Sequence, residues 1–154
     1  MKKFFAMLLA AVMLLSLSAC GSKAAKDVDV SALAGDIVSR VAFDNAMEQE
    51  AAELLQFTFD VPEDAKACGY APAGGTSTEY VLCVQCADGD SAAAVKAAVE
   101  SYVDGARDNA GKYDPAEAQR LENGTYVKQA GNLVVLVIAA DISAVSGIVE
   151  GYTK

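Results

Sequence analysis

Apolar residues recur along this chain in two rhythms, one of helical spacing and one of strand-like density. Leu33, Ile37, Val38 and Val41 repeat every three to four positions, and Met47, Ala51, Leu54 and Leu55 do the same, so two amphipathic helices are expected. Pro62 breaks the second pattern between Asp60 and Asp64. Residues 66–73 and 78–87 then read as two strands joined by Ala73-Gly74-Gly75-Thr76-Ser77, whose glycines supply positive φ for a turn. Gly69 and Pro72 interrupt the first of these strands and suit it to a sheet edge. Asp88-Gly89-Asp90-Ser91 leads into a long helix with Ala92, Val95, Val99, Tyr102, Val103 and Ala106 on one face.

Local signals are denser in the last third. Asp114-Pro115-Ala116-Glu117 combines a capping carboxylate, proline at the first helical position and glutamate at the third, which predicts a short helix over 115–122 ended by Gly124. Thr125–Ala130 and Leu133–Ala140 flank Gly131-Asn132, a two-residue hairpin connection that would set Tyr126 beside Val137. Leu133 to Ile138 is apolar without alternation, the mark of a strand covered on both faces. Asp141 is expected to cap a final helix carrying Ile142, Val145, Val149 and Tyr152. Gly147 and Gly151 in that helix suggest close packing. The order of elements predicts an α+β, two-layer domain over 31–154, with a four-stranded, mostly antiparallel sheet packed by helices.

The chain begins differently. Lys2 and Lys3 precede an apolar run from Phe4 to Leu17, broken only by Ser16. This is the pattern of an export signal, and the run is shorter than the roughly 20 residues a membrane-spanning helix needs. It ends Leu17-Ser18-Ala19-Cys20, which resembles the lipobox of bacterial lipoproteins. The resemblance implies cleavage between Ala19 and Cys20 and a diacylglyceryl thioether on Cys20, because only a thiol supplies that sulfur. Residues 1–19 would be the signal peptide and 20–30 the lipidated cysteine and tether. Two acyl chains matter because burial gains about 0.8 kcal/mol per methylene and one chain holds only marginally. The plainer alternative is an ordinary secretory signal with an incidental cysteine.

Composition narrows the chemistry. The chain has 154 residues, no histidine, and 12 Lys plus Arg against 21 Asp plus Glu, a net charge of −9. Histidine-based triads, imidazole bases and His-ligated metals are thereby excluded. Loss of Lys2 and Lys3 with the leader leaves 10 bases against 21 acids, or −11. Such acidity argues against nucleic acid as a partner, since phosphate binding depends on clustered cations. Asp88-Gly89-Asp90 superficially resembles a calcium loop, but Ala93 and Val99 stand where an EF-hand needs glycine and glutamate. Helix capping accounts for these aspartates, and no cofactor is called for.

Cys83-Val84-Gln85-Cys86 is the one motif that invites a mechanism. Redox CxxC pairs place the first thiol at a helix N-terminus, where the dipole favours thiolate. Here the pair falls in a predicted strand, and residues three apart in a strand face opposite ways. Three readings stand: buried cysteines acting as small hydrophobes, a disulfide of Cys68 with Cys83 or Cys86, and a thiol-disulfide oxidoreductase using Cys83 and Cys86.

From the lipobox onward the chain resembles an uncharacterised family of Gram-positive lipoproteins, domain of unknown function 4358. The matching residues are the anchor, Tyr113-Asp114-Pro115-Ala116-Glu117, Leu121-Glu122-Asn123 and Gly131-Asn132-Leu133-Val134-Val135-Leu136-Val137. All of these motifs are structural, so the resemblance carries over no catalytic residue. The resulting expectation is a domain on the extracytoplasmic face of the cell membrane, held to the bilayer by its diacylglyceryl anchor. It would serve as a binding or interaction module for an envelope protein or small ligand rather than as an enzyme. The alternatives are the oxidoreductase and a structural accessory of an envelope complex.

Overall fold

A computed structural model of the chain describes residues 26–154. In chain order the elements are α1 (Val30–Arg40), β1 (Met47–Gln49), α2 (Ala52–Phe59), β2 (Lys66–Pro72), β3 (Tyr80–Gln85), α3 (Gly89–Tyr113), α4 (Pro115–Asn123), β4 (Thr125–Ala130), β5 (Leu133–Ile138) and α5 (Val145–Thr153). The strands form one antiparallel sheet in the order β1-β2-β3-β5-β4. The α+β class is as expected.

Three details differ from the sequence reading. The sheet has five strands, because Met47–Gln49 pairs with Tyr70–Pro72 instead of opening a helix. The helical spacing of Met47, Ala51 and Leu54 is real, but the free edge of β2 offers Met47–Gln49 backbone partners that the helix cannot match. Consequently β2 is interior, not an edge. Pro72 is tolerated at its last position, and Gly69 lets Leu55 pack so closely that an added β-carbon would sit 2.6 Å from Leu55 Cδ2.

The second difference is the number of layers. Residues in β3 and β5 alternate between two separate apolar clusters. Val81, Cys83, Val135 and Val137 face α1 and α5, while Leu82, Val84, Val134 and Leu136 face α2, α3 and α4. A sheet that is apolar on both faces needs helices on both, so the domain has three layers. This same fact explains the unalternating Leu133–Ile138 run.

The third concerns α5. It starts at Val145, with Asp141 Oδ1 accepting from Ser143 N at 2.8 Å in a turn ahead of the helix. Gly147 and Gly151 lie on its exposed side, and a β-carbon at either would meet nothing within 4 Å. They mediate no close packing. Elsewhere the local signals hold. Asp88 and Asp114 cap α3 and α4 as expected, and Asp29 caps α1 as well. Gly131 has φ 63° in the β4–β5 turn, and Tyr126 pairs with Val137. Among the described residues no helix is long and apolar enough to cross a membrane.

Candidate functional site

The sheet has two unlike ends. At one, the described chain enters: Val28 N donates to Gln85 Oε1 at 2.6 Å, and Gln85 Nε2 donates to Lys26 O and to Asn132 Oδ1, each at 3.1 Å. Lys66 pairs with Asp27 at 2.8 Å beside them. Helix α3 also begins here, where Gln129 Nε2 donates to Gly89 O. Its 25 residues run about 37 Å to the other end.

That other end gathers the loop after α1, the β2–β3 hairpin and the α3–α4 junction. Glu79, only 1% exposed, accepts from Asp44 N at 2.7 Å, Asn45 N at 3.1 Å, Asn45 Nδ2 at 2.8 Å and Ser77 Oγ at 3.4 Å. A buried carboxylate is tolerated when donors saturate it, and these donors pin the 44–45 loop to β3. Beside it, the Arg120 guanidinium donates to Asp44, Glu117 and Ser77. Glu117 Oε2 accepts from Thr78 N and Oγ1 at 2.7 and 2.6 Å. Burial opposes ionisation of Glu117, but the Thr78 hydrogen bonds and the Arg120 charge outweigh it and hold the carboxyl below the usual range.

Against this scaffold lies a cleft of about 260 Å³. Ala106 and Ala110 of α3 form part of its apolar lining, and Thr76, Thr78 and Asn109 supply neutral polar groups. Tyr113 lines it too and is 80% exposed. Asp114 and Glu117 are its charged residues. One turn back on α3, Tyr102 packs edge-on against Phe59 with centroids 4.9 Å apart. Phe59 meets Tyr80 at 5.4 Å. The Tyr80 hydroxyl donates to Glu50, whose carboxyl is pushed up by burial. This aromatic packing continues inward from the α3 face that bears the cleft.

Cys20 and Ala19 lie outside the described residues. Cys83 and Cys86 sit in the two different clusters, on opposite faces of the sheet, and Cys68, Cys83 and Cys86 are all buried free thiols. Burial pushes each thiol up, the reverse of the shift that makes a nucleophilic thiolate. Cys68 stands directly opposite Cys83, yet the pair is badly spaced for a bridge. Gly69 O accepts from Glu50 N, toward β1, and Cys86 N donates to Asn132 O, toward β5. Backbone groups of alternate residues point to opposite sides, so Cys68 and Cys83 turn theirs toward each other as a hydrogen-bonded pair. In such pairs the β-carbons lie toward the wide end of the roughly 4.5–5.5 Å that separates directly opposed side chains. A disulfide needs its β-carbons at about 3.8 Å. Among the described residues no group of three or more His, Cys, Asp or Glu is arranged to hold a metal.

Sequence reasoning did not single out the cleft. Its one local signal was the Tyr113–Glu117 junction, read there as a helix start, because Thr76 and Thr78 reach it only through the folded hairpin.

A family model described as a domain of unknown function, DUF4358, matches residues 40–139, well over half of the chain. No curated protein and no solved structure matches it.

Proposed function

We propose a function for a chain that belongs to the DUF4358 family: it is a lipid-anchored extracytoplasmic interaction module that engages a protein partner through the cleft beside Tyr113. The anchor rests on Lys2, Lys3, the Phe4–Leu17 run and the Leu17-Ser18-Ala19-Cys20 lipobox. Lipidation at Cys20 leaves only residues 21–25 between the anchor and the clamp on Lys26. The chain therefore enters the domain close to the bilayer, with the cleft at the far end of α3.

The observation that carries the reading is the cleft's size beside an exposed tyrosine. Small-molecule sites span about 300–1,000 Å³, and this one, at about 260 Å³, suits a single side chain. Exposed tyrosine next to a pocket for one anchoring side chain is the pattern of a protein interface. A photo-crosslinking residue at Tyr113, in intact cells, is expected to capture a discrete partner, while one at Phe57, exposed on α2, is not. Equal capture at both, or none at Tyr113, rejects the site. The anchor has its own test: labelled palmitate enters the wild type, and Cys20→Ala loses both label and membrane retention.

A further inference from the structure

The cleft is chemically lopsided. Its charged lining residues are two carboxylates, Asp114 and Glu117, with no cation among them. Arg120, the nearest candidate to neutralise them, is 14% exposed at its side chain and is spent on Asp44, Glu117 and Ser77. Asp114 Oδ1 accepts from Ala116 N and Glu117 N at 3.1 and 3.2 Å. Among the described residues no hydrogen bond occupies its Oδ2.

We infer that the occupant is the side chain of a lysine or arginine presented by the protein partner. This deepens the interaction reading and rests on it. The alkyl stem of such a residue lies along Ala106 and Ala110, and its cationic head reaches Asp114 with Tyr113 alongside. A long basic side chain suits this because its methylenes bury well while the head keeps polar company. The exposed ring adds a cation–π contact.

Other occupants fit less well. A purely apolar side chain would cover the half-buried Asp114 without pairing it, and covering an unpaired polar group costs about 1–3 kcal/mol. An acidic one meets like charge. A net charge of −9 over the chain also draws basic partners by long-range steering.

The test is an NMR titration of the purified full chain in non-ionic detergent. The probes are N-acetyl-lysine amide, N-acetyl-arginine amide and, as a neutral control of similar length, N-acetyl-norleucine amide. The basic probes should give saturable shifts at Ala106, Ala110 and Tyr113, with the neutral one at least about tenfold weaker. Added salt should weaken the basic probes selectively. Asn109→Lys, at an exposed lining position, should abolish the shifts while leaving the melting temperature within a degree or two of wild type. Equal binding of norleucine amide, or no saturable shift with any probe, overturns the inference. Crosslinks from Tyr113 that persist despite such a failure would leave the interaction reading standing, and loss of both removes both.

Discussion

Gly124 approaches Ala139 so closely that a β-carbon at 124 would lie 1.9 Å from the Ala139 carbonyl oxygen. The contact is part of the sheet's closure, since Ala139 N donates back to Gly124 O at 3.0 Å. Backbone cannot swing aside as a side chain can. Gly124→Ala is therefore expected to cost more than about 3 kcal/mol, above the usual overpacking penalty. Calorimetry should show a large drop in melting temperature, and an unchanged one would disprove the close approach.

The Cys68–Cys83 pair should resist both oxidation and alkylation. Both side chains are buried, and their register sets their β-carbons toward the wide end of the cross-strand range, beyond disulfide reach. In native protein, Cys68, Cys83 and Cys86 should react with an alkylating reagent only at the rate of unfolding, and oxidised glutathione should add no internal bridge. Cys83→Ser should destabilise by about 1–3 kcal/mol through a buried hydroxyl without a partner. Fast native labelling of Cys83, detected by peptide mass, would contradict this.

Glu79 acts as a fastener. Glu79→Gln keeps the shape but turns an amide toward donors that need an acceptor, Asp44 N or Asn45 N. The expected loss is about 1–3 kcal/mol, with faster hydrogen exchange at the Asp44 and Asn45 amides while β3 and β5 stay protected. Unaltered exchange at both amides would show that the loop is held by something else.

Glu117 gives the domain an acid limit. Its carboxyl titrates lower in the folded state than in the unfolded chain, because hydrogen bonds from Thr78 and the Arg120 charge outweigh burial. The unfolded chain then binds the proton first, so this contribution is complete at neutral pH and fades as pH falls below about 4.3. Stability curves of wild type and Glu117→Gln should differ most near neutrality and converge in acid. Parallel curves across that range would eliminate the assignment.

The local grammar of this chain was readable before any folding. Asp88 and Asp114 as caps, Pro115 at the first turn, the Gly131-Asn132 hairpin and the Tyr126–Val137 register follow from hydrogen bonds and dihedral limits within a few residues. The unalternating Leu133–Ile138 run even announced a strand covered on both sides. The spacing from Met47 onward fits a helix, and only the edge of β2 makes Met47–Gln49 a strand.

The sequence by itself determined the α+β class, most element boundaries, the acidic surface and the absence of histidine chemistry, because these depend on neighbours along the chain. Tertiary structure alone decided the fifth strand, the third layer, the role of Gly124 and the cleft. Gly124 read as a helix stop, yet its demand for a bare α-carbon comes from Ala139, fifteen positions away. Thr78 and Glu117 are 39 residues apart and share a cleft only because α3 carries the chain from one end of the sheet to the other. Contacts at that separation arise from how two apolar faces of one sheet are covered, and no local pattern encodes them.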